Sequence, residues 1–142
     1  MIEVYIDGLT QPYNPGGVAT YGFIIYENKN KIFEESKIIG KGPWASNNLA
    51  EYSALINALK FLLKENKQNE EIIIKSDSKL LVNQMNGKWK CRGGLYVKKY
   101  YEAKEILKKF NNIKFVWIPR ELNKEADELS RRAYEKYLNT YF

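Results

Sequence analysis

The chain changes its hydrophobic period partway along, and that change limits its possible folds more than any other feature. Ile2, Val4 and Ile6 alternate with Glu3, Tyr5 and Asp7, which predicts a strand over 2–7. "GLTQPYNPGG" (8–17) reads as a turn-rich loop. "VATYGFIIYE" (18–27) and "IFEESKIIG" (32–40) read as two more strands, joined by the turn-forming "NKNK". Three strands with short connections imply an antiparallel meander. After "KGPWASNN" the period becomes helical, with Tyr52, Leu55, Ile56, Leu59, Leu62 and Leu63 on one stripe. Strands and helices then alternate. "EEIIIKSD" (70–77) is a buried strand, "SKLLVNQM" a helix, "NGKWKCRGG" (86–94) a basic loop and "LYVKKYYEAKEILKKF" a helix. "IKFVWI" (113–118) is the fifth strand, and Asn123 is placed to cap a last helix. That helix carries Leu122, Ala126, Leu129, Ala133 and Tyr137 on one stripe. The order βββαβααβα predicts an α/β fold with a five-stranded mixed sheet, antiparallel first and then parallel, flanked by helices.

Composition narrows the chemistry. At 142 residues, one domain spanning 1–142 is expected. No apolar run approaches the ~18 residues of a membrane span. "MIEVYIDG" begins a strand without a basic leader, so a cytoplasmic protein with no membrane association is expected. The net charge of +6, from 23 Lys and Arg against 17 Asp and Glu, favours a polyanionic partner. The sole cysteine, Cys91, excludes an internal disulfide and a cysteine zinc site. The chain has no histidine, which removes the Ser-His-Asp triad, histidine bases and histidine metal sites. Catalysis, if any, falls to carboxylates, with or without hard metal ions.

Four acids draw notice, and each alone has an ordinary explanation. Asp7 reads as a turn acid before Gly8. Glu51, three residues after Asn48, resembles the far end of a capping box. Asp77, between Ser76 and Ser78, sits where an N-cap belongs, and Asp127 suits the first turn of a helix. Their joint placement says more. In an open sheet with crossovers, sites gather beyond the carboxyl ends of strands. Asp7 and Asp77 are expected there, with Glu51 and Asp127 near the starts of the first and last helices. Carboxylates gathered in one cleft repel, and bound Mg²⁺ or Mn²⁺ relieves that repulsion.

Together "YIDG", "NNLAEYSALINAL", "KSDSKLLVNQM" and "VWIPRELNKEADELS" resemble, in order and spacing, the motifs of type 1 ribonuclease H. The resemblance covers nearly the whole chain. It implies a ribonuclease H-like fold and a metal-dependent endonuclease that cuts the RNA strand of RNA/DNA hybrids with two ions per site, leaving 5′-phosphate and 3′-hydroxyl ends. It assigns Asp7, Glu51, Asp77 and Asp127 as the catalytic, metal-binding acids, with Asp7 bridging both ions. Asp127 would hold the water-activating ion, and Glu51 and Asp77 the ion on the leaving-group side. Glu51 would also accept from a 2′-hydroxyl of the RNA strand. Asn14, Asn47 and Asn48 match positions that contact the hybrid's sugars and backbone. Double-stranded RNA is a second candidate substrate, and a monomer is expected.

Two departures from the family pattern stand out. Trp117 occupies the place, ten residues before Asp127, where many relatives carry a histidine; Arg120, three residues on, is the cation expected near the departing phosphate. The basic protrusion of some relatives is missing, which leaves Lys88, Trp89, Lys90 and Arg92 as candidates to hold a phosphate backbone. The competing readings are a resolvase- or integrase-like nuclease, a non-catalytic nucleic-acid-binding domain and a purely structural α/β domain.

Overall fold

The computed structural model describes residues 1–142. Strands β1 (Ile2–Gln11), β2 (Val18–Glu27) and β3 (Asn30–Lys41) are followed by helix α1 (Asn47–Lys64), strand β4 (Ile72–Ser76), helices α2 (Lys79–Met85) and α3 (Val97–Leu107), strand β5 (Ile113–Trp117) and helix α4 (Lys124–Tyr141). A 3₁₀ turn over Arg120–Leu122 precedes α4. The predicted order holds element for element. The sheet runs β3-β2-β1-β4-β5, antiparallel between β1, β2 and β3 and parallel between β1, β4 and β5.

Helix α1 covers one face of this sheet. Tyr52, Leu55, Ile56, Leu59 and Leu62 are buried against Ile2, Val4, Ile6, Ile72 and Ile74 in the main core. Each such aliphatic side chain contributes about 1.5–3 kcal/mol on burial. Helix α4 lies against β1, β2 and β3 through Ala126, Leu129 and Ala133. Leu122, expected on the same stripe, sits in the 3₁₀ turn and is 65% exposed.

Strand β1 departs most usefully from expectation. It does not end at Asp7 but continues to Gln11, because β2 pairs with it along its whole length and places Gly22 opposite Asp7. Its parallel pairing with β4 stops at Tyr5 and Lys75. Beyond that point β1 has an open edge. Asp7 sits on this edge, and Asp77 lies one residue past the end of β4. The turn-acid reading of Asp7 therefore fails; the residue is mid-strand and 4% exposed.

The caps also differ. Helix α1 is capped by Ser46, whose hydroxyl accepts from the Leu49 amide, so Asn48 and Glu51 do not form a capping box. Helix α2 is capped by Ser78, accepting from Leu81, and not by Asp77. Asn123 occupies the N-cap position of α4, but its side chain makes no capping bond. Freed from capping, both acids can face the open edge of β1.

Candidate active site

Two glycines let helices reach that edge. A Cβ added at Gly8 would lie 2.4 Å from the Ala50 carbonyl carbon and 2.4 Å from the Glu51 nitrogen, so only glycine lets the first turns of α1 meet β1. A Cβ at Gly22 would lie 2.5 Å from Leu129 Cβ and 2.7 Å from the Ala126 oxygen, so α4 seats on β2 in the same way. Asn123 adds a third tie. It is 1% exposed, and its Nδ2 donates to the Ile6 carbonyl at 2.9 Å, fixing the start of α4 beside the residue that precedes Asp7.

Asp7, Glu51, Asp77 and Asp127 thus line one cleft, together with Gly8, Asn47, Trp117, Arg120 and Arg131. Asp7, Glu51 and Asp77 each offer a carboxylate oxygen, and these oxygens all lie within 4.8 Å of one another. Asp127 stands beside Asp7, but its Oδ2 accepts from Arg131 Nε at 2.9 Å. Four carboxylates face two guanidiniums in this cleft. Burial, then the Asp77 and Glu51 carboxylates, push Asp7 up to about 9. Burial raises Glu51 to about 8, with the Ser78 hydroxyl and the Arg120 guanidinium acting the other way. Asp77 is also raised by burial and held down by Arg120. Clustered oxygen donors that resist ionisation without a partner fit a hard divalent cation. Arg120 stands beside two of them.

Trp117, at the end of β5, directs its indole N–H to the Asp77 carbonyl at 3.1 Å, and Lys79 lies 5.0 Å from its ring centroid. The indole therefore ties β5 to the loop that carries Asp77. A side chain at this position that reaches a backbone oxygen cannot be read from the sequence.

The other candidates separate. Asn47 lines the cleft; its Oδ1 accepts from the Thr10 amide at 2.7 Å, and its own amide donates to Asn14 Oδ1 at 3.0 Å. Asn14 and Asn47 thereby tie the β1–β2 loop to the start of α1. Asn48 is half-buried in the first turn of α1 and does not line the cleft. Lys88, Trp89, Lys90 and Arg92 lie apart from the acids, around a separate hollow with Leu80. Trp89 is 48% exposed, which excludes it from the core. The loop is anchored from beneath by Gln84, which is buried, accepts from Tyr52 Oη, and donates to Tyr96 Oη and the Lys90 carbonyl. Sequence reasoning missed Asn123 as a positioning residue and Arg131 as a cleft residue. The basic i+4 spacing after Asp127 was the only signal for Arg131.

Fold and cleft define a ribonuclease H-like α/β domain with a carboxylate centre at the sheet edge. A family profile described as "Reverse transcriptase-like" matches residues 7–133. The N-terminal RNase H domain of Rv2228c from Mycobacterium tuberculosis superposes with a TM-score of 0.87 at 31% identity, covering 99% of this chain and 98% of that one. LC11-RNase H1, solved in complex with an RNA/DNA hybrid, gives a TM-score of 0.86 at 35% identity over 97% of this chain and 99% of that one. The ribonuclease H of Ehrlichia canis is 30% identical over 147 aligned positions, 95% of each chain. The chain spans only 32% of the full bifunctional protein Rv2228c, to which it is 34% identical. The chain belongs to the reverse transcriptase-like family of ribonuclease H-like domains and falls with its type 1 ribonucleases H.

Proposed function

We propose that the chain is an endonuclease that hydrolyses the RNA strand of RNA/DNA hybrids with two divalent ions, leaving 5′-phosphate and 3′-hydroxyl ends. The convergence of Asp7, Glu51 and Asp77 within 4.8 Å carries this reading. The hybrid bound to LC11-RNase H1 supports the choice of substrate.

In this reading Asp7, Glu51 and Asp77 hold one Mg²⁺ or Mn²⁺, and Asp7 with Asp127 holds the other. When bound, such ions polarise the attacking water and neutralise charge on the leaving oxygen. The chain's own groups do the rest. Glu51 accepts from a 2′-hydroxyl, which distinguishes RNA from DNA. Asn14, Asn47 and Asn48 contact sugars and backbone. Arg120, placed beside Glu51 and Asp77, offers its guanidinium to the departing phosphate. Lys88, Trp89, Lys90 and Arg92 track the phosphate backbone away from the reacting bond. The protein acts as a monomer. No helix is long and apolar enough to cross a membrane.

The test is cleavage of end-labelled hybrid, double-stranded RNA and double-stranded DNA in Mg²⁺, Mn²⁺ or EDTA. Hybrid should be cut in either metal and spared in EDTA, with double-stranded DNA intact throughout. Cleavage that persists in EDTA, or intact hybrid in both metals, would overturn the reading.

A further inference from the structure

The four acids are not equivalent in their surroundings. Asp7, Glu51 and Asp77 form a cluster whose carboxylate oxygens lie within 4.8 Å of one another, with Arg120 beside Glu51 and Asp77. Asp127 instead carries its own cation, Arg131, one helical turn further along α4. The neighbouring pair on α4, Glu128 with Arg132, has the same spacing but lies outside the cleft. Of these two arginines, only Arg131 lines the cleft with the acids.

We propose that Arg131 is the internal counter-ion of Asp127, occupying one of its carboxylate oxygens until a second divalent cation displaces it. The inference rests on the cation-binding reading above. The pair is half open to water, with side-chain exposures of 49% for Arg131 and 24% for Asp127, so the guanidinium can leave for solvent at little cost. A divalent cation outcompetes a single guanidinium for a carboxylate, but part of its gain is spent breaking the pair. Arg120 stands beside two members of the cluster of three but makes no salt bridge to them like that of Arg131 to Asp127. The cations therefore load in order: the first on Asp7, Glu51 and Asp77, the second on Asp127 as Arg131 lets go. Arg131 is thus a positioning residue. It sets the cation concentration at which the second ion enters.

The test is Mn²⁺ titration of the intact protein followed by the spectrum of free Mn²⁺, with Mg²⁺ calorimetry beside it and no hybrid present. Arg131→Gln should tighten the weaker binding event about threefold and leave the tighter one within about twofold. Arg131→Lys, which keeps a cation within reach of Asp127, should restore the wild-type pattern. Both variants should melt close to wild type, because an exposed i,i+4 pair adds little stability. An unchanged or weaker second event in Arg131→Gln would overturn the proposal. So would equal tightening of both events, which signals diffuse charge, or a single event in wild type. A wild type that cuts hybrid while Arg131→Gln binds cations unchanged sinks this inference alone; a wild type that binds no divalent cation and spares hybrid sinks the proposed function as well.

Discussion

The acidic cleft and the basic loop over residues 86–94 are opposite in charge and opposite in construction. The cleft's carboxylates stand on a strand, two helices and the end of a second strand, and Asp7 is buried. The loop's cations are largely exposed and are held mainly through backbone, by the Lys88 and Trp89 amides donating to the Asn83 carbonyl and by Gln84 donating to the Lys90 carbonyl. In the proposed function, charges that meet at the bond to be broken are fixed by regular structure, and charges that attract a polyanion are left in water. Changes in the cleft should therefore be felt in turnover and in pH response, and changes in the loop in affinity and its salt dependence.

The largest expected effect is Asp7→Asn, which should lower kcat on hybrid by on the order of a thousandfold or more while hybrid binding, measured by gel shift in Ca²⁺, persists. Full activity in this variant would erase the contrast between the two regions. Gly8→Ala comes next. Its Cβ would press on the backbone of Ala50 and Glu51 at 2.4 Å and push α1 from the sheet. Hybrid cleavage should fall roughly a hundredfold, because small displacements of reacting groups are costly, with a stability loss of about 1–3 kcal/mol in urea. An active, equally stable Gly8→Ala would show that the close approach does not position Glu51.

The third effect is on stability against pH. Asp7 lies at about 9 in the folded chain against 3.8, and Glu51 at about 8 against 4.5. The folded state therefore binds more protons than the unfolded state between about pH 4 and pH 9. Stability contributed by these groups falls as pH rises through that window. In EDTA the melting temperature should drop across it more steeply for wild type than for Asp7→Asn, and Mg²⁺ should flatten the wild-type curve. Parallel curves for the two proteins would contradict the burial and repulsion described for Asp7. The smallest effect belongs to the loop. Lys88, Lys90 and Arg92 all changed to Ala should raise KM several-fold, leave kcat near wild type and reduce the salt slope of binding by about 0.9 for each lost phosphate contact. A fall in kcat with KM unchanged would move the loop into the chemistry.

Most of the fold was legible because strand and helix periods differ and follow one another in the sequence. The four acids were legible as a set, through their motifs and their expected approach to one sheet edge, although Asp7 reaches that edge from mid-strand and not from a strand end. What stayed hidden depended on contacts between distant residues. The length of β1 was masked by Gly8 and Thr10, which break the apolar alternation, although β2 keeps pairing through to Gln11. The cap of α1 was read from the sequence as Asn48 paired with Glu51, whereas Ser46 caps the helix and Asn47 accepts from the Thr10 amide. Asn123 looked like a cap and instead reaches across to Ile6. Arg131 resembled any basic residue one turn after an acid, and only its place in the cleft sets it apart.

The closeness of Gly8 to α1 and of Gly22 to α4 bears on how such a centre can persist while a sequence changes. Both helices rest closely on the sheet at the level of Asp7, α1 through the backbone of Ala50 and Glu51 and α4 through the backbone of Ala126 and Ser130 with Leu129 Cβ. The spacing of the acids is therefore set by main-chain thickness and not by the volumes of the packed side chains further along each helix. Ile, Leu and Val can exchange within the core, loosening or tightening the far ends of α1 and α4, while the ends that carry Glu51 and Asp127 keep their seats. Mutational drift in the interior is uncoupled from the register of the carboxylates, and two residues with no side chain are what uncouple it.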